Sequence, residues 1–374
     1  MAGKISKFLK GLIWFCLIIA IVLGGIYIAC KYIIKDTTLI TQFQTLGQSF
    51  GEYLFGNNDK IHVELKDENF KSEVEKARYY HYTQLDDNAK TIYICLENNI
   101  DNLKSSQEEI KLPTNLSELM QYNNGEAVLQ QAFQDAWDAF SKDKPELFYL
   151  DGNKFCLITK TMNGLGGTRY ELAIGRGDNP NYFVDGFTSK EQVDIAIQDF
   201  ENIKTQITQS ISIENEEYTY SYEKILQVHD WIVDNVSYDS EMKKANNGNA
   251  YGALVEKQSI CEGYAEAFKC MMDELQVPCI TVCGISKDST TGKEEKHAWN
   301  YVYIGEKWYA IDTTWDDPVI NTVGGNAGKL TSRLKYKYFL KGANTMQENH
   351  IVTGEIVDGG KIFQYPELSI EDFK

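Results

Sequence analysis

The sequence predicts an α+β fold, most sharply in its C-terminal half, from a cysteine-bearing helix followed by strands. Ala265, Phe268, Met272 and Leu275 step at three- and four-residue intervals, marking a helix that Pro278 keeps from continuing. Beyond it, residues 279–285 (CITVCGI), 297–304 (HAWNYVYI) and 307–315 read as strands, the last two joined by Gly305-Glu306. A third observation adds one transmembrane helix at the amino terminus, because residues 11–30 (GLIWFCLIIAIVLGGIYIAC) hold no charge.

The chain has 374 residues, 43% of them hydrophobic, with 37 Lys+Arg against 54 Asp+Glu. That length accommodates one large domain or two ordinary ones, and the apolar fraction excludes wholesale disorder. Five lysines and no acids precede residue 36, which leaves 54 acids against 32 bases in the body. So acidic a body lacks the basic footprint that phosphate backbones require, which excludes nucleic acid as a partner.

At 1.5 Å per residue, the uncharged run and its apolar continuation through Tyr32-Ile33-Ile34 span a hydrocarbon core of about 30 Å. Lys4, Lys7 and Lys10 precede it while Lys31 and Lys35 follow, a small excess that favours a cytoplasmic 1–10. The run exceeds the h-region of a cleaved signal peptide and lacks a clean A-x-A site. Tyr27-Ile28-Ala29 with Lys31 also suits lipid attachment at Cys30 poorly. The expectation is an uncleaved single-pass anchor at 11–34 with an extracytoplasmic body.

Six cysteines remain in the body: Cys95, Cys156, Cys261, Cys270, Cys279 and Cys283. Their irregular spacing is unlike a disulfide framework, and the absence of C-x-x-C leaves zinc-ribbon and thioredoxin-type motifs without support. No cofactor and no metal is expected. Asp316-Asp317 reads as a solvated turn, and Glu262 with Glu266 as a solvated helix face.

Region 36–215 reads as helical with a small sheet. A juxtamembrane helix over 39–55 is followed by helical pattern across 69–103, where Ile92, Cys95, Leu96, Ile100 and Leu103 recur. Another helix covers about 126–140, strands fall at 148–150, 155–158 and 170–174, and helix returns at 190–211. Residues 222–236 form an amphipathic helix whose His229 reads as a core histidine.

Cys261 would occupy the first turn of its helix, where partial positive charge favours thiolate and makes the sulfur a nucleophile. A two-residue II′ turn at Gly305-Glu306 pairs Ile304 with Lys307. His297 and Asp312 then project from one face as diagonal neighbours roughly 7–8 Å apart. A longer turn would slip the register and send Asp312 to the opposite face. Cysteine, histidine and acid make a nucleophile–base–orienter set. The Cys261 amide can help to bind an oxyanion, with Tyr251 as the candidate second donor.

Together, Tyr251-Gly252-Ala253-Leu254 through Ser259-Ile260-Cys261-Glu262-Gly263-Tyr264-Ala265, His297-Ala298-Trp299-Asn300 and Trp308 through Pro318 (WYAIDTTWDDP) resemble the transglutaminase-like superfamily, as do His229-Asp230-Trp231 and Val236-Ser237-Tyr238-Asp239. The resemblance covers about 218–340, so 216–340 is expected to be the domain and 341–374 a C-terminal tail. It implies a papain-like core, the nucleophile helix packed on an antiparallel sheet, with Cys261, His297 and Asp312 as the catalytic positions. It further implies a bacterial cell-surface enzyme acting on protein or peptide amide bonds, with envelope substrates, through an acyl-thioester. Hydrolysis, deamidation and cross-linking share that machinery and stay open. A non-catalytic binding module on the same fold is the alternative, and papain-type maturation would remove residues before about 215. His350, in the tail, has no partner legible in the sequence.

Overall fold

The computed structural model describes residues 63–66, 69–106, 108–164, 167–211, 219–288, 291–317 and 332–374. The expected anchor at 11–34, the segment 1–10 and the helix at 39–55 lie outside the described residues. Among those described, no helix is long and apolar enough to cross a membrane. One compact unit comprises His62–Lys160 with Tyr170–Lys374.

The N-terminal region begins with α1 (Glu73–Arg78), α2 (Asp87–Glu97) and α3 (Ile100–Ser105). Asp86 caps α2 by accepting from the Ala89 amide, and the periodic Ile92, Cys95 and Leu96 are buried. Then come β1 (Ile110–Lys111), α4 (Thr114–Glu118), α5 (Gly125–Asp143), the long strands β2 (Cys156–Gly164) and β3 (Gly167–Gly175), and α6 (Lys190–Ser210). The three strands form one sheet in the order β1-β3-β2. Residues 148–150, expected as a strand, make only an isolated Leu150–Phe183 bridge. Tight turns at Pro145–Leu147 and Gly152–Lys154 leave too little extended chain between them for a ladder.

The C-terminal region runs α7 (Thr219–Asn235), β4 (Ser237–Tyr238), α8 (Ala250–Leu254), β5 (Gln258–Ser259), α9 (Cys261–Glu274), β6 (Cys279–Lys287), β7 (Glu294–Ile304), β8 (Lys307–Ile311) and β9 (His350–Val352). A four-stranded antiparallel sheet has the order β8-β7-β6-β9. Gln276, at φ +58°, ends α9, and the Val277 amide bonds the Met272 carbonyl at 2.8 Å. The expected register holds, with Ile304 opposite Lys307. Positive φ at both Gly305 (+57°) and Glu306 (+62°) makes the turn type I′ instead of II′, and both types serve a two-residue hairpin.

Two further expectations change. The strand expected over 307–315 ends at Ile311, because the Asp312 carboxylate accepts the Thr314 and Trp315 amides and curls the chain into a turn. The C-terminal segment read as a tail supplies β9 to the sheet. One buried core joins residues from both regions, among them Tyr93, Phe140 and Phe200 with Ile225, Phe268 and Val302.

Candidate active site

Cys261 is the first residue of α9, and its environment follows from its neighbours in sequence. A Cβ on Gly263 would lie 2.0 Å from Ser259 Oγ and 2.6 Å from the Asn249 carbonyl, so only glycine lets the first turn pack this closely. From β7, Asn300 Nδ2 donates to the Ala265 carbonyl at 3.0 Å and ties the helix to the sheet. Cys261 is half-buried, whereas Cys95, Cys270, Cys279 and Cys283 are buried. Burial pushes the Cys95 and Cys283 thiols up to about 12 and raises Cys270 and Cys279 strongly as well. All six cysteines of the described residues are unpaired.

His297 lies on β7 opposite Gly284 of β6. Its Nε2 is 2.7 Å from Asp312 Oδ2, and Cys261 is near enough to favour its charged form. With Nε2 committed to the acid, Nδ1 is the ring nitrogen left for the sulfur. Burial works against a charged imidazole here, but the Asp312 carboxylate and then Cys261 outweigh it, raising the His297 pKa to about 10. Asp312 is buried too, yet the two imidazoles beside it hold its carboxyl well below the usual carboxylate range. The second imidazole belongs to His350, whose Nε2 meets the same Oδ2 at 2.9 Å. Thus the structure brings Cys261, His297 and Asp312 together and adds a histidine that sequence reasoning left unpartnered. His350 stands 38 positions beyond Asp312 on a three-residue strand. So short a strand carries no periodic signal by which to place it.

The Tyr251 ring stacks on Phe148 at 4.9 Å and meets Phe187 edge-on at 5.5 Å, and the charges near its hydroxyl are Asp199 and Glu256. On α8 this side chain enters aromatic packing with Phe148 and Phe187 of the N-terminal region. Tyr238 on β4 feels the charges of the site. Burial, followed by the neighbouring Cys261, Glu295 and Asp312, pushes its hydroxyl up to about 12.

Of the acidic residues expected on solvated surfaces, Asp316, Asp317 and Glu266 are buried, while Glu262 stays partly exposed. Asp316 Oδ2 lies 3.1 Å from His229 Nε2, and Asp317 Oδ2 accepts from the Tyr264 hydroxyl at 2.6 Å. These bonds fasten the 312–317 turn to α7 and α9. His229 is fully buried, as a core histidine should be. Glu266 is also buried and pairs with buried Lys142 of α5 at 3.2 Å, while Glu262 pairs with the same ammonium.

His297, Asp312 and His350 are the one group of potential metal ligands among the described residues, with their ligand atoms within 4.8 Å of one another. The two Nε2 atoms both meet Asp312 Oδ2. A cavity of about 750 Å³ lies beside Glu262 and Glu266, walled by Trp137, Asp138, Phe148 and Val357.

Residues 205–313 match the Transglutaminase-like superfamily. The chain carries a transglutaminase-like domain. Kyphoscoliosis peptidase of Mus musculus is 29% identical over 157 residues, 40% of this chain and 23% of the relative. The Homo sapiens protein of that name is 26% identical over 215 residues, 53% of this chain and 32% of the relative. The chain therefore spans a quarter to a third of the length of these curated relatives. Among solved structures, a TGase has a TM-score of 0.27 at 16% identity, covering 53% of this chain and 52% of that one. The periplasmic domain of TgpA from Pseudomonas aeruginosa, bound to ethylmercury, has 0.25 at 10% identity, covering 46% and 68%. The transglutaminase-like domain match ends at Ile311-Asp312-Thr313, so His350 lies beyond it.

Proposed function

We propose that this protein is a membrane-anchored cysteine enzyme that cleaves or transfers protein or peptide amide bonds through an acyl-thioester. The observation that carries the reading is His297 Nε2 on the Asp312 carboxylate at 2.7 Å, with Cys261 close enough to favour the charged imidazole. In this mechanism the Cys261 proton has passed to His297, and Sγ attacks the substrate carbonyl carbon. The imidazolium then passes that proton to the leaving amine, and the thioester remains on Cys261. Water or a second amine attacks the thioester, His297 receives its proton, and the thiol is regenerated as the acyl group departs. Asp312 keeps the ring oriented and favours its charged form. The Cys261 amide at the start of α9 is one oxyanion donor, and Tyr238, charge-coupled to Cys261, joins Tyr251 as a candidate for the second.

Peptide hydrolysis is the first reaction to look for, since the relatives are named peptidases. The uncharged run at 11–30 supports a single-pass anchor with 1–10 in the cytoplasm and the body outside, facing envelope substrates. A peptide library offered to the full chain with and without a primary amine, read by mass, tests the activity. Loss of water-adducted, deamidated or cross-linked products in C261A supports the enzyme. No product from the wild type, with Cys261 alkylated no faster than a free thiol, leaves the non-catalytic binding module.

A further inference from the structure

The His350 ring is built into the site from outside the matched domain. It is 5% exposed, and its Nε2 lies 2.9 Å from the oxygen that His297 Nε2 meets at 2.7 Å. An ionised carboxylate only accepts hydrogen bonds, so both imidazoles present N–H to Asp312 Oδ2. On its far side, His350 Nδ1 is 2.8 Å from Asn349 Oδ1, and Asn349 Nδ2 donates to the Tyr338 hydroxyl at 2.5 Å. The ring also packs edge-on against Trp299 at 5.1 Å and Trp315 at 4.9 Å. Strand β9 can come this close because Gly284 faces it: a Cβ there would sit 2.2 Å from the Ile351 carbonyl and 2.7 Å from Trp299.

We propose that His350 is a positioning residue that shares Asp312 with His297, fixing the carboxylate and limiting its pull on the imidazole that serves Cys261. This rests on the roles assigned to Cys261 and His297 above. Two donors on one oxygen divide its basicity. With His350 in place, Asp312 orients His297 without binding its proton so tightly that the ring cannot release it. The ionisable groups facing this cluster are Cys261 from α9, Tyr238 from β4, Asp316 from the turn, and Lys337 and Tyr338 from the segment before β9. Among these neighbours, His350 is the one that shares Oδ2 with His297. Burial and the nearby charges of His297 and Lys337 lower the His350 pKa, although Asp312 pulls the other way.

The test is a pH titration of the full chain carrying 13Cε1-labelled histidine, a signal set of only five residues. Removing the shared donor in H350F should move the His297 midpoint upward by roughly one pH unit, about tenfold in proton affinity. H350Q, whose amide reaches a similar point, should return most of that rise. A parallel pH profile of peptide turnover should show its alkaline limb moving with the same midpoints. If H350F leaves the His297 midpoint in place or lowers it, while the folded protein merely melts earlier, His350 only docks β9 and the proposal fails. Should H350F not fold, H350N, whose shorter amide stops short of Asp312, takes its place with the same expectations. A titration shift without any Cys261 chemistry would sink the enzyme reading and leave the shared carboxylate standing.

Discussion

Replacing Asp312 with asparagine probes the charge of the site with almost no change in shape. The carboxylate is 1% exposed and receives four hydrogen bonds, from His297 and His350 on Oδ2 and from two backbone amides on Oδ1. Burial by itself would lower the His297 pKa below its ordinary 6.5, yet the ring titrates at about 10. At 1.36 kcal/mol per pH unit, that rise corresponds to roughly 4–5 kcal/mol, supplied mainly by the carboxylate and then by Cys261. An asparagine offers dipoles in place of the charge, so burial wins and His297 becomes neutral at pH 7. Iodoacetamide alkylation of Cys261 across pH 5–9, mapped by mass, reads the consequence. The rate at pH 7 should fall by about 10²–10⁴-fold, the upper figure being the loss measured when a triad aspartate becomes asparagine. Stability should respond with a definite sign. The His297 contribution is complete below 6.5 and disappears as pH rises through about 10. The Asp312 contribution is present above 3.8 and disappears as pH falls through its lowered native value. D312N is therefore most destabilised between about pH 4 and 6.5, and the difference shrinks toward alkaline pH. A folded D312N protein that alkylates at the wild-type rate at pH 7 would refute this account.

Other substitutions test the supports around the site. K142M leaves buried Glu266 without its counter-charge and should cost about 3–5 kcal/mol in urea unfolding, with part recovered by adding E266Q. D138N should act in the opposite direction. Asp138 keeps one bond, from Gln134 at 2.8 Å, while its Oδ2 has no partner and burial raises its pKa from 3.8 to about 6. A carboxyl raised in this way costs stability as pH climbs through that interval, so D138N should gain roughly 1–3 kcal/mol at pH 8 and little at pH 4. Y264F removes the 2.6 Å bond to Asp317 and should cost about 1.5–3 kcal/mol, a loss visible as earlier melting.

Local signals were enough for the hairpin and the nucleophile helix. Gly305-Glu306 dictates a two-residue turn, and that turn alone sets Ile304 opposite Lys307. Ala265, Phe268, Met272 and Leu275 mark α9, and its start at Cys261 follows. The proximity of His297 and Asp312 was legible from the hairpin, though by a different route from the one observed. Asp312 reaches the histidine from a turn beyond β8, and the strand does not extend that far.

What sequence spacing could not decide is which distant groups close the site. Tyr251 and Tyr238 are both aromatic residues upstream of the cysteine, and only packing sends one into the Phe148–Phe187 cluster and the other within electrostatic reach of Cys261. Glu262 and Glu266 look like a solvated pair until a lysine from α5 arrives 120 or more positions away in the chain. His350 is the clearest case. Helix and strand periods report which face of an element is apolar, because burial repeats with the backbone geometry. A single polar side chain brought to a carboxylate by a three-residue edge strand repeats nothing, and its contact exists only once the sheet has assembled. The amino-acid order thus determined the α+β elements and the candidate Cys–His–Asp chemistry, while the tertiary fold decided which buried partners tune that chemistry.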